Sequence, residues 1–144
     1  MSIEYPVSLA VTLSPIGQPW VKISVANRVQ QLQLTECQEF VFDFVTSEPA
    51  VLTVEHFDKS DTDPTTAVEI QCISLFGISD PRFVWAGVYC PRYPVLWYEQ
   101  QIEKPQHTLA GQSYLGWNGT YQLDFSVPVF EWIHKTLNLG WIYR

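Results

Sequence analysis

Tyr114-Leu115-Gly116-Trp117-Asn118-Gly119-Thr120-Tyr121-Gln122-Leu123-Asp124-Phe125-Ser126-Val127-Pro128-Val129-Phe130-Glu131-Trp132-Ile133-His134 reads as a β-hairpin running into one short helix. Asn118-Gly119 between alternating apolar residues is a strong short-range hairpin signal, because a primed turn needs positive φ at both central positions. After it Tyr121, Leu123 and Phe125 fall on one face, with Gln122 and Asp124 on the other. Pro128 suits the first turn of a helix, with Ser126 as its cap. The helix is expected over residues 129–137, with Gly140 as its C-terminal stop.

Working outward from this stretch, period-2 alternation continues along the chain. Residues 7–13, 20–26, 29–34, 40–45, 51–57, 67–75 and 82–89 each read as a strand. Phe40, Phe42 and Phe44 share one face, and Asp43 takes the other. Asn27-Arg28 reads as a turn. In residues 67–75 the inward set is Val68, Ile70, Leu75 and either Cys72 or its neighbour Ile73. Short strands at spacings of about ten residues, with turn signals between them, are the pattern of an antiparallel sandwich or barrel. The expected fold is therefore all-β: a jelly-roll-like β-sandwich with one short C-terminal helix, formed as a single domain over residues 1–144.

Composition narrows the function classes. Hydrophobic residues make up 47% of the chain, enough to build a packed core and too many for a disordered segment. The net charge of −7, with no cluster of Lys or Arg, argues against nucleic acid and anionic lipid, both of which require a basic face. No apolar run approaches the roughly 18 residues that cross a bilayer. The start Met1-Ser2-Ile3-Glu4-Tyr5-Pro6 lacks the basic and apolar regions of a secretion signal, so synthesis in a cytoplasm is expected. Cys37, Cys72 and Cys90 are an odd set without CxxC spacing, which argues against a disulfide scaffold or a cysteine-rich zinc site. Cys72, in an apolar run, reads as a small buried hydrophobe.

Catalytic patterns are missing. His56, His107 and His134 show no metal-type spacing, and neither a nucleophile elbow nor a phosphate loop occurs. The expectation is a non-catalytic protein with no catalytic residues to assign. Asp58, Asp61 and Asp63 with Lys59 form an acidic loop. Calcium takes roughly six to eight oxygen ligands, and three carboxylates could begin such a set. The loop lacks the glycine and terminal glutamate of an EF-hand, so a solvated turn broken at Asp63-Pro64 is the default and calcium the alternative.

Six tryptophans are the unusual number. Trp85, Trp117 and Trp132 fall within expected regular elements and read as core. Trp20, Trp97 and Trp141 fall at a strand start, in a loop and near the C-terminus. Residues 90–109 carry Pro91, Pro94 and Pro105 with Tyr93, Trp97 and Tyr98. Proline donates no ladder hydrogen bond, so this is a long aromatic loop rather than a central strand, and such loops usually serve a function. Tyr93, Trp97, Tyr98, Trp20 and Trp141 are the interface candidates, since exposed rings anchor protein partners and also stack on sugars.

Three strings carry a resemblance. His56-Phe57-Asp58-Lys59 with Asp63-Pro64-Thr65-Thr66-Ala67-Val68, then residues 76–87 from Phe76-Gly77-Ile78-Ser79-Asp80-Pro81 to Trp85-Ala86-Gly87, then Tyr114-Leu115-Gly116-Trp117-Asn118-Gly119 with Pro128-Val129-Phe130-Glu131-Trp132, resemble small virion-associated proteins of tailed bacteriophages, cyanophages among them. The resemblance covers about residues 51–143 and brings no catalytic residues with it. It implies an accessory structural part of a virion, decorating the capsid or associated with tail or fibre. Such a part would dock on other virion proteins or further copies of itself through aromatic loops and termini. The strand order also resembles the jelly-roll of calcium-dependent carbohydrate-binding modules. That likeness implies the alternative, a module contacting host surface glycans, with calcium at the acidic loop.

Overall fold

The computed structural model describes residues 3–137, and Gly140 and Trp141 lie outside the described residues. In chain order the elements are β1 (Tyr5–Ile16), β2 (Trp20–Val25), β3 (Arg28–Gln33), β4 (Gln38–Thr46), β5 (Ala50–Phe57), β6 (Ala67–Leu75) and β7 (Ile78–Ser79). They continue with α1 (Pro81–Trp85), β8 (Val88–Pro91), α2 (Val95–Glu99), β9 (Leu109–Ala110), β10 (Tyr114–Leu115), β11 (Gly119–Phe125) and α3 (Val129–Thr136). One antiparallel sheet runs β10-β6-β1-β4, with β7 paired to β6, and the other runs β3-β2-β5-β11-β8-β9. The expected jelly-roll-like β-sandwich is what forms.

Alternation places the core between the sheets. Val7, Leu9, Val11 and Leu13 of β1, with Phe40 and Phe42 of β4, face Val21, Ile23 and Val25 of β2, Leu52 and Val54 of β5, and Tyr121, Leu123 and Phe125 of β11. Each side chain of this kind contributes about 1.5–3 kcal/mol on burial. The ambiguity in β6 resolves through a bulge. Thr12 of β1 pairs with Cys72 and Leu13 with Ile70, so Gln71 is the extra residue. An extra residue resets the alternation; Ile70 and Ile73 both point inward, and Cys72 is only half-buried.

Four local expectations are corrected. First, Asn118-Gly119 is not a hairpin turn: β10 pairs with β6 in one sheet, whereas β11 pairs with β5 and β8 in the other. The chain crosses between layers there, and Gly119 is already strand. A Cβ on Gly119 would stand 2.5 Å from the Cys90 carbonyl oxygen, so close backbone approach is what requires glycine. A two-residue turn with positive φ at both positions does occur, at Phe76 (φ 53) and Gly77 (φ 77), joining β6 to β7.

Second, residues 82–85 are helical. Asp80 caps α1 by accepting from the Arg82 backbone N–H at 2.9 Å, and Pro81 opens the helix. Third, Trp85 is not core but 60% exposed at the end of this single turn, while Phe83 and Val84 are buried in its place. Fourth, Ser126 does not cap α3; Pro128 occupies the cap position. Helix α3 closes the sandwich with buried Val129 and Ile133, and with Trp132 packed on Phe83 at 5.6 Å and Phe125 at 6.1 Å. Among the described residues the sandwich thus carries three short helices where one was expected.

Candidate functional site: an aromatic and acidic groove

The long loop between β8 and β9 folds around α2. A helix of five residues cannot persist on propensity alone. Its C-terminal carbonyls are held by Lys104, whose Nζ donates to the carbonyl oxygens of Tyr98 at 2.8 Å, Glu99 at 3.0 Å and Gln101 at 2.9 Å. The same ammonium lies 5.2 Å from the centre of the Tyr98 ring. The Tyr93 hydroxyl donates to the Gln106 carbonyl at 2.6 Å, tying the two ends of the loop together.

This anchoring gathers five rings. Tyr93 stacks on Trp97 at 5.4 Å and on Tyr98 at 5.9 Å, and His107 lies 5.2 Å from Tyr98. Trp117, from the crossover between β10 and β11, meets Trp97 at 4.6 Å with a 48° tilt and meets Tyr93 edge-on. Trp117 is itself held by its backbone: the Tyr89 hydroxyl donates to its carbonyl and accepts its N–H at 3.1 Å. Burial pushes the Tyr89 phenol up, so this hydroxyl stays a donor. The two indoles form a corner rather than a flat platform.

Opposite the corner runs the acidic loop. Asp61, Thr62, Asp63 and Pro64 face Trp97 and Trp117 across an opening of about 270 Å³. The loop is built from its own side chains. Asp63 Oδ1 accepts from the Thr65 and Thr66 N–H groups, each at 3.0 Å, and Oδ2 accepts from the Thr66 hydroxyl. These hydrogen bonds, first the Thr66 hydroxyl and then the two N–H groups, hold the Asp63 carboxyl well below the usual range. Asn118 clamps the other end of the loop: its Oδ1 accepts from Lys59 N and its Nδ2 donates to Lys59 O, both at 2.9 Å. Lys59 Nζ donates to the Gly116 carbonyl at 2.6 Å and stands 5.3 Å from the Trp117 ring centre. Desolvation lowers the Lys59 pKa, and the charge of Asp63 partly opposes that.

The structure therefore brings Trp97, Tyr93 and Tyr98 into one cluster and sets Asp61 and Asp63 across from it. It sets two expected site residues apart. Asp58, at φ 59, lines a neighbouring opening with His56, Trp20 and Lys59, and Asp63 borders both openings. Trp20 packs on Phe57 at 6.2 Å on the outer face of its sheet. Trp117, read from sequence as core, is half-buried and belongs to the site. Sequence carried a signal for it: the turn-like Gly116-Trp117-Asn118-Gly119 places the ring beside a chain reversal, where it need not be interior. Lys59 and Asn118 were missed, because their roles join positions 59 residues apart. His56 is fully buried; its Nδ1–H donates to the Leu115 carbonyl at 3.0 Å and burial lowers its pKa. A larger opening, about 360 Å³, lies between β6 and α1 with Trp85 on its rim and shares no lining residue with the groove.

As they stand, these residues do not fit a calcium ion. Asp58 and Asp61 face different openings and do not converge, and the Asp63 oxygens between them accept from the loop's own donors. Among the described residues no three His, Cys, Asp or Glu side chains gather into a set that would hold a metal.

No family model matches the chain, and no curated protein matches it. Two solved structures are similar. One is vCBM60 in complex with galactobiose, 19% identical, with a TM-score of 0.50 over 81% of this chain and 96% of that chain. The other is the selenomethionine form of vCBM60, described as linking two families of calcium-dependent carbohydrate binding modules by circular permutation. It is 16% identical, with a TM-score of 0.55 over 81% of this chain and 89% of that chain. At such identities the likeness is one of fold, and it agrees with the β-sandwich described above.

Proposed function

We propose that this chain is a non-catalytic carbohydrate-recognition module, with the groove between residues 61–64 and the Trp97–Trp117 corner as its binding site. One observation carries the reading: two half-buried indoles that meet at 4.6 Å and an acidic wall line the same opening. Sugars require both chemistries. Their C–H faces pack on aromatic rings, and their hydroxyls donate to carboxylates. A galactose-containing disaccharide is the first probe, because a fold neighbour binds galactobiose. Titration of galactobiose, followed by a panel of immobilised oligosaccharides, should find a ligand whose binding falls at least tenfold in Trp97→Ala, a loss of about 1.4 kcal/mol. A folded Trp97→Ala variant that binds as wild type would sink the assignment.

The virion setting is the second reading, supported by the string resemblance and by one specific observation. Val95, Leu96 and Ile102 of the same loop are 69%, 75% and 101% exposed, and exposed apolar side chains of this kind dock on partner proteins. Glycan recognition by an accessory virion part would unite both readings. Co-purification with phage particles in fixed stoichiometry tests it; a protein absent from purified particles removes it.

A further inference from the structure

We infer that Lys59 is a tethered cation that organises the acidic loop in place of a divalent metal, so that recognition in this groove is independent of calcium. The ligand half of this inference rests on the carbohydrate reading; the metal half stands by itself. A calcium ion in a loop does two jobs: it balances clustered carboxylates, and it fixes the loop to its surroundings. Here side chains do the second job outright and contribute one positive charge to the first. Three carboxylates fall within residues 58–63, and both oxygens of the one with the most contacts, Asp63, already accept from Thr65 and Thr66. The positive charge comes from the Lys59 ammonium, which acts on Asp63 through space.

Attachment comes from the same residue. Lys59 Nζ reaches the Gly116 carbonyl at 2.6 Å and lies over Trp117, while its backbone N–H and C=O are both held by Asn118. One side chain thus ties the acidic wall of the groove to its aromatic wall. A lysine in this position also discourages a metal. Its charge repels a second cation, and three partners hold it in place. The fold neighbour's calcium dependence is therefore a property this chain's residues do not share.

The test uses the full chain and two independent readouts. Thermal unfolding of the ligand-free protein is compared in excess EDTA and in millimolar calcium. The expected result is one melting temperature; a rise of several degrees with calcium would overturn the inference, since a ligand of the native state must stabilise it. Binding of galactobiose, and of each immobilised oligosaccharide of the panel, is then compared in the same two buffers. Equal affinity in both supports the inference. Binding only with calcium overturns it while leaving the carbohydrate reading intact. Absence of binding in both overturns the carbohydrate reading, and the melting comparison still decides the metal half. Lys59→Met should lower the melting temperature and weaken binding at least fivefold, with neither restored by calcium, while Lys59→Arg should recover part of both. Restoration of Lys59→Met by calcium would show that the loop is a metal site after all.

Discussion

Gly119→Ala isolates the physical reason for a glycine in the middle of the sandwich. The added methyl carbon would sit 2.5 Å from the Cys90 carbonyl oxygen, 2.7 Å from Pro91 Cα and 3.1 Å from the Cys90 carbonyl carbon. All three are backbone atoms of β8, which pairs with β11 at Gly119↔Pro91. No rotamer change relieves such a contact; the two strands must separate locally. Overpacking of this kind costs about 1–3 kcal/mol. For a chain of this length that lowers the melting temperature by about 3–10 °C. Thermal unfolding followed by circular dichroism, with a urea curve as a check on cooperativity, measures it. Gly119→Asn separates this explanation from a primed turn. In a left-handed turn asparagine would be tolerated better than alanine. Against a neighbouring backbone the larger asparagine must be at least as damaging. If Gly119→Asn is milder than Gly119→Ala, or if Gly119→Ala melts with wild type, the close-approach argument is wrong.

Two further outcomes follow from the same structure. Trp85→Ser should change stability by no more than about 0.5 kcal/mol in urea unfolding, because the ring is exposed; a loss near the ~3–5 kcal/mol of a buried tryptophan would contradict its placement. Acidification should destabilise the fold in two stages. Burial lowers the His56 pKa from 6.5, so the unfolded chain binds the proton first; stability is full above pH 6.5 and falls as pH drops below it. Asp63, depressed from 3.8 by its hydrogen bonds, adds a second loss only below that value. Unfolding midpoints measured from pH 8 to pH 3 check the order, and His56→Gln should flatten the first stage; a midpoint that rises between pH 6.5 and pH 5 would refute the assignment.

The layers of the fold were legible because alternation is a local signal. Val7, Leu9, Val11 and Leu13 alternate without a break, as do Phe40 and Phe42, and each sequence lands on the inner face as expected. What failed was any feature set by a neighbour distant in sequence. Asn118-Gly119 has the composition of a turn, yet its glycine answers to Cys90 and Pro91, and its asparagine to Lys59. The run containing Phe83, Val84 and Trp85 is apolar enough to read as a strand, and the local signal for a helix is the Asp80-Pro81 cap just ahead of it. The bulge at Gln71 could not be located from β6 alone, because a bulge exists only relative to its partner strand. The site was half legible. The aromatic loop and the acidic loop were each visible, but their meeting across one groove depends on the crossover that carries Trp117.

The most direct test of the binding site uses the six tryptophans as their own reporters. Indole N–H resonances, assigned by single substitutions, are followed by two-dimensional NMR while an oligosaccharide is added in the presence of EDTA. The account predicts that the Trp97 and Trp117 resonances shift progressively and saturate together, while those of Trp20 and Trp85 stay in place. Shifts confined to Trp20 or Trp85, or a spectrum unchanged by every oligosaccharide that the panel offers, would contradict it.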